Sequence, residues 1–307
     1  MIGSLNVDLV VLVDRMPASG ETVSGRDFAR HAGGKGLNQA IAAARSGQQV
    51  HLVGAVGDDD GGTWLRGLVR SEGIDDLRLA TVDGPSGTAL IEVDSSGANR
   101  IVVVPGANGT LSGYQAESAI AEIHQATVVL ANLEATVESA VAGLRAAQNT
   151  GLRTILNPAP VPHRGLPAEL LPVSDILVPN EHEASLITGT DVRDADTALA
   201  AGRQLIDRGV GCAVVTLGDR GAVWVTGDAE GRVPAYVVDA VDTTAAGDAF
   251  CGTLAASLSA DLPWDDCLRR ACAAGALATT SPGAMPSLPA AVDIDRLVSG
   301  GTTKEIP

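Results

Sequence analysis

The sequence predicts an α/β fold: a three-layer α/β/α arrangement around a mainly parallel central sheet, with a small β-sheet lid standing off it. Three observations lead there. From about residue 50 onward, short β-branched runs alternate with Ala- and Leu-rich segments of helical period, the pattern of βαβ units with right-handed crossovers. Hydrophobic residues make up 45% of the 307 and aromatics only 2%, so the chain can build a large aliphatic core. Two strand-like stretches near the N-terminus have no helix of their own and break the alternation.

In chain order, strands are expected at 50–56, 128–132, 154–157, 175–178, 213–217, 222–225 and 236–238. Helices are expected at 37–46, 62–71, 112–125, 137–150, 194–208, 246–259 and 264–280. The exceptional stretches are antiparallel pairs, 9–13 with 21–32 and 88–93 with 100–104. The second turns through Asp94-Ser95-Ser96-Gly97, a hairpin signal. The organisation is then one large body, residues 1–8, 33–87 and 105–307, and a lid from 9–32 and 88–104. Unpaired lid edges need a cover or a partner, which predicts a homodimer through the lid.

Composition narrows the function. A net charge of −16 argues against nucleic-acid partners, whose binding depends on clustered Lys and Arg. The four cysteines, Cys212, Cys251, Cys267 and Cys272, lack metal-site spacing and read as reduced cytosolic thiols. Asp8 and Asp14 interrupt the only apolar stretch at the N-terminus, so no signal peptide is read. The longest weakly polar run, near 271–278, is far shorter than the roughly 20 residues of a membrane span. The expectation is a cytoplasmic protein with neither nucleic-acid nor membrane partners. Of 21 basic residues only Lys35 and Lys304 are lysines, and Lys35 sits in a glycine turn where a compact charge fits.

The strongest motif is Asp242-Thr243-Thr244-Ala245-Ala246-Gly247-Asp248, opening the helix expected at 246–259. Small residues leave the amides of Ala245, Ala246, Gly247 and Asp248 uncovered at a helix N-terminus, an anion site. Asp248 stands where a carboxylate could take a proton from an attacking hydroxyl. Capping by Asp242 and Asp248 alone is the plainer alternative. A second glycine turn, Gly33-Gly34-Lys35-Gly36-Leu37-Asn38-Gln39-Ala40, also feeds a helix. With Asn6 and Asp8 it offers amides, a carboxylate and an ammonium, groups suited to a polyol. Asn180 and Glu183, three apart after Pro179, share the first turn of a helix. Thr216-Leu217-Gly218-Asp219-Arg220-Gly221 is a weaker strand-end turn. No P-loop or strand-linked dinucleotide fingerprint occurs.

These blocks, together with Pro17–Val23, Gly106–Gly109, Asn132-Leu133-Glu134 and Asn157–Pro160, resemble the PfkB, or ribokinase-like, carbohydrate kinases from Gly3 to about Pro289. The resemblance implies a ribokinase-like fold and transfer of the ATP γ-phosphate to a sugar hydroxymethyl group, with ribose as the first expected acceptor. It implies that Asn6, Asp8, Gly34, Lys35, Asn38 and Glu134 hold the sugar. Asp248 would be the base, with the amides of Ala245, Ala246 and Gly247 in the anion hole. Asn180, Thr216, Gly218, Gly221 and Gly247 would serve the nucleotide, and Glu183 a water-bound Mg²⁺. A K⁺ site would draw on Asp242, Thr244, Ala278, Ser281, Gly283 and Ser287. One departure is that only two residues precede Gly3, so most of the family's first strand is missing. Fructose or a phosphosugar remain alternative acceptors; a nucleoside is disfavoured because Phe28 is the only aromatic residue in the lid. A non-catalytic sugar-binding relative is the alternative of another class, and Asp248 with its anion hole counts against it.

Overall fold

The computed structural model describes residues 1–304. Its strands are β1 (Asn6–Val13), β2 (Gly25–Gly33), β3 (Gly54–Gly57), β4 (Leu79–Val82), β5 (Gly87–Val93), β6 (Asn99–Val104), β7 (Val128–Ala131), β8 (Arg153–Leu156), β9 (Ile176–Leu177), β10 (Cys212–Thr216), β11 (Ala222–Thr226) and β12 (Glu230–Val233). Its helices are α1 (Lys35–Arg45), α2 (Asp60–Ser71), α3 (Gly113–Glu122), α4 (Val137–Asn149), α5 (Glu181–Thr188), α6 (Ala195–Asp207), α7 (Ala246–Ser259), α8 (Trp264–Ala278), α9 (Ala284–Ser287) and α10 (Ala291–Gly300).

The central sheet runs β12-β11-β10-β9-β8-β7, parallel from β10 to β7 and antiparallel at β11 and β12. Beyond β7, the chain start supplies a stub. Ile2 bridges both Ala131 and Val53 in parallel fashion, which joins the parallel pair β3-β4 to the same surface. The first strand expected to be missing is thus replaced in the ladder by residues 1–3, through Ile2 N–H to Leu130 O at 2.9 Å and Gly3 N–H to Val53 O at 3.1 Å.

Period-two alternation sorts the core into layers. Leu130, Ile155, Ile176 and Val214 face one side, with α1, α7, α8 and α10. Val129, Leu156, Leu177 and Ala213 face the other, with α3 and α4, and Val215, Val223 and Val225 continue that side under α5 and α6. Caps set where several helices begin. Ser112, Asn180 and Asp194 each form a reciprocal capping box with the residue three positions on. The four cysteines are free and buried, and among the described residues no helix is long and apolar enough to cross a membrane.

The small sheet has the order β2-β1-β5-β6. Its two antiparallel pairs are the expected ones, and a parallel β1–β5 seam, Asp8 opposite Ala89, welds them into one sheet. β1 starts at Asn6, so Asn6 and Asp8 stand on a strand of the small sheet.

Several expected elements differ. The 236–238 strand is only a bridge, Tyr236 to Thr303, because the chain there pairs with the C-terminal segment instead of the sheet. The 50–56 strand begins at Gly54, its earlier part held by single bridges at His51 and Val53. The 112–125 helix stops at Glu122, and the 175–178 strand shrinks to two residues. β4, β12 and α10 carry too little pattern to be read from the sequence.

Candidate active site

The centre is built where the first turns of α1 and α7 meet at the carboxyl ends of the parallel strands, where ligands sit in such sheets. Close approach of the two helices depends on glycine. A Cβ on Gly252 of α7 would meet Gln39 O at 2.4 Å, and one on Gly36 would meet the backbone of Gly3 and Ser4 at 2.4 Å. With those contacts open, α1 carries two amides onto the buried Asp248. Asn38 Nδ2 donates to Oδ2 at 3.0 Å and Gln39 Nε2 donates to Oδ1 at 2.9 Å. Gln39 Nε2 also donates to Asn157 Oδ1 at 3.0 Å, and Asn157 Nδ2 to Val178 O at 2.9 Å. Burial pushes the Asp248 carboxyl above its ordinary range, although Lys35 and the two amides pull the other way.

Beside it lies a polar cleft. Glu134 Oε2 accepts from Ser4 Oγ at 2.7 Å and from Lys35 N–H at 2.8 Å, fixing the glycine turn. Gly34, at φ 91°, takes a conformation open to glycine, and a Cβ there would meet Asn6 N at 2.9 Å. Asn6 Oδ1 accepts from Asn108 Nδ2 at 2.8 Å, and Asn108 also bonds both backbone groups of Leu5. Asp8 is tucked against Gly33, where a Cβ would lie 2.0 Å from Oδ2. Its Oδ1 is buried without a partner, as is Asn38 Oδ1. Burial, then the neighbouring Glu134 charge, raises the Asp8 pKa to about 7. Lys35 is pulled down by burial but raised overall by the surrounding Asp248, Glu134 and Glu183 carboxylates.

On the other side of the α7 start is a cavity of 310 Å³ lined by Thr216, Gly218 and Gly221 from the β10–β11 turn, Ala246 and Gly247 from α7, and Phe250 among others. Ala245 caps α7 at φ 61°, a left-handed conformation rare for alanine, and the Ala246 N–H that follows, expected to be uncovered, is taken by Thr243 O at 3.3 Å. Gly247 has open space on its Cβ side. A parallel bridge sets Asn180 beside Thr216. Asn180 Oδ1 accepts from Glu183 N–H at 2.8 Å and Glu183 Oε2 accepts from Asn180 N–H at 2.9 Å. Burial raises the Glu183 carboxyl above its usual range.

The segments at 241–244 and 279–287 are joined. Val241 N–H donates to Thr279 O at 2.7 Å, and Gly283 N–H donates to Asp242 Oδ2 at 2.8 Å. Asp242 Oδ1 accepts from Thr244 N–H and Oγ1 at 2.9 and 2.6 Å. Burial works against it, but these bonds hold the Asp242 carboxyl below the usual range. Ser287 is buried and donates to Ala284 O at 2.8 Å. Ala278 ends α8 and Ser281 follows in the same connection. Among the described residues no three His, Cys, Asp or Glu side chains converge on one point as a direct metal cage.

Asp248 and Asn38 meet in the cleft, Thr216, Gly218, Gly221 and Gly247 line the cavity, and Asp242, Thr244 and Gly283 are linked, whereas Ala278, Ser281 and Ser287 share only the same connection in the chain. The nominations left out Ser4, Gln39, Asn108 and Asn157, which brace the cleft. Asn157, a polar residue directly after an apolar strand, was the readable signal among them.

Comparison with known proteins identifies the family. The model for the pfkB family of carbohydrate kinases matches residues 1–291. Ribokinase of Haemophilus influenzae is 36% identical over 291 residues, 94% of each chain. A bifunctional ribokinase/ribose-5-phosphate isomerase A of Fructilactobacillus sanfranciscensis is 39% identical over 265 residues, 85% of this chain and 48% of that protein, so the chain spans about half the length of that relative. The structure of Arabidopsis thaliana ribokinase complexed with ribose and ATP superposes with a TM-score of 0.86, covering 97% of both chains at 29% identity. Matched over nearly its whole length, in sequence and in fold, the chain belongs to the pfkB family of carbohydrate kinases.

Proposed function

We propose that the protein transfers the γ-phosphate of ATP to the hydroxymethyl group of D-ribose, giving ribose 5-phosphate, in the cytoplasm. The observation that carries this reading is the pair of buried, unpartnered acceptors, Asp8 Oδ1 and Asn38 Oδ1, in the cleft that holds Asp248. Buried acceptors without donors are costly, and a ligand rich in hydroxyls satisfies them. Asn6, Asp8, Gly34, Lys35, Asn38 and Glu134 hold the sugar, and the hydroxymethyl group lies toward Asp248. Ribose as the acceptor rests on the likeness to ribokinases, one of them bound to ribose and ATP.

Asp248 orients the acceptor hydroxyl and takes its proton as the oxygen bonds to the γ-phosphorus and the bond from that phosphorus to the β–γ bridging oxygen breaks, releasing ADP. Burial raises its pKa, which makes it a stronger base than a free carboxylate. The amides of Gly247 and Asp248 at the α7 start, with the helix dipole, meet the charge that develops on the phosphoryl oxygens. One helix turn therefore separates the sugar cleft from the cavity that takes the nucleotide through Thr216, Gly218, Gly221 and Gly247, with Asn180 beside the phosphates. Mg²⁺, when bound, would supply positive charge to the phosphates. Glu183 suits a water-bound Mg²⁺, since its one hydrogen bond uses Oε2 and leaves Oε1. An oxygen-only set from Asp242, Thr244, Ala278, Ser281, Gly283 and Ser287 suits a large monovalent cation such as K⁺.

The test is a sugar panel with ATP and Mg²⁺ on wild type and Asp248→Asn. Ribose should give the highest kcat/KM, 2-deoxyribose and fructose lower values, and the variant should lose at least ~10²-fold in kcat while keeping its fold. A variant retaining a third of wild-type kcat would reduce Asp248 to a helix-capping role.

A further inference from the structure

The last described residues form part of the nucleotide cavity. After α10, Val237 N–H donates to Thr302 O at 2.8 Å and Lys304 N–H donates to Ala235 O at 2.8 Å. Tyr236 and Thr303 form the antiparallel bridge between them. A Cβ on Gly301 would meet the Tyr236 ring at 3.0 Å, so glycine allows this close packing. Ala235, Tyr236 and Lys304 all line the 310 Å³ cavity. Lys304 Nζ reaches across to Asp219 Oδ2 at 3.0 Å, and Asp219 lies in the Gly218–Arg220 turn on the cavity's other side. Among the described residues, Asp219 and Lys304 are the charged side chains on the cavity wall.

A nucleoside triphosphate is a polyanion approaching a chain of net charge −16. An uncompensated carboxylate at the cavity would repel it. We propose that Lys304, delivered by the C-terminal segment, is a positioning residue for the nucleotide. It cancels the Asp219 charge and ties the segment to the turn that forms the opposite wall. This rests on the kinase reading above. The side chains are 42% and 82% exposed, so the effect is that of a surface pair, modest and sensitive to salt.

The experiment measures initial rates with saturating ribose and varied ATP, and ATP binding by calorimetry, for wild type, Lys304→Met, Lys304→Arg and Lys304→Met/Asp219→Asn. Methionine keeps the stem and removes the charge. The expected result is a rise in ATP KM and Kd of about threefold for Lys304→Met. Sugar KM and kcat stay within twofold, Lys304→Arg stays near wild type, and the added Asp219→Asn reverses most of the rise. An unchanged ATP KM in Lys304→Met overturns the proposal. So does a rise that Asp219→Asn fails to reverse, because that marks a purely structural contact. A wild-type protein that binds no ATP and turns over no sugar would instead remove the kinase reading beneath it.

Discussion

Asp8 shows what the proposed sugar site costs at the level of one residue. Its carboxyl is held among buried groups near Glu134 with one oxygen unpartnered, and its pKa rises to about 7. A folded-state pKa above the unfolded value means that the folded protein binds the proton more tightly. The Asp8 contribution to stability therefore falls as pH rises from about 4 to about 7, and is flat beyond. Asp8→Asn should accordingly raise the melting temperature of the sugar-free protein at pH 8 and leave it nearly unchanged at pH 4. Sugar binding has the opposite need, a charged acceptor for hydroxyl donors. KM for ribose should fall several-fold between pH 6 and 8 in wild type, and stay high and flat in Asp8→Asn; a wild-type KM independent of pH across that range would count against the role. The same carboxyl explains Gly33, whose absent Cβ leaves room for Oδ2. Gly33→Ala should raise the ribose KM by an order of magnitude or more, with ATP KM within twofold. Asp248 was legible in the sequence because small residues and a carboxylate at a helix start carry a local meaning. Gln39 was not, because its contact to Asp248 spans 209 residues and exists only once α1 and α7 pack.

At the level of elements, legibility followed local signals. Helices with caps and an amphipathic face, such as α4 and α6, fall within two residues of their expected bounds. Some elements that depend on distant pairing did not. Residues 236–238 look like a strand, yet Val237 is 51% exposed and its neighbour pairs with Thr303, so the apolar pattern serves a different partner. The connection from α8 to α9 is a similar case with functional weight. It is tied by Asp242 to the loop that ends in Ala245, the strained cap of α7. A cation held between these segments would fix that cap and add positive charge beside the proposed anion hole. Adding K⁺ to Na⁺- and K⁺-free enzyme at constant ionic strength should raise kcat or lower KM for ATP, and Asp242→Asn should blunt the response. A flat response in wild type leaves the connection as structure alone.

For the whole molecule, the open question is what covers the small sheet. Its order, β2-β1-β5-β6, leaves β2 and β6 as edges, and every residue of β6 is exposed. Four of them in a row, Ile101, Val102, Val103 and Val104, are apolar and between 47% and 60% exposed. Because strand residues alternate faces, both faces of this edge present hydrocarbon to water, joined by Leu90 on the neighbouring β5, while Phe28 is exposed on β2 at the opposite edge. Natural sheets blunt such edges with charge, proline or a cover, and β6 carries only Arg100 at its start. A second copy of the same sheet supplies a cover of matching character, and two-fold pairing is the commonest way to do so. The prediction is a dimer at micromolar concentration by sedimentation. Lysines at Val102 and Val104 test one face, and lysines at Ile101 and Val103 the other. One of these pairs should shift the protein to monomer. Since Asp8 stands on β1 of the same sheet, that monomer should bind ribose less tightly while its ATP KM moves less. Wild-type protein that sediments only as a monomer, with and without ribose, rules this assembly out.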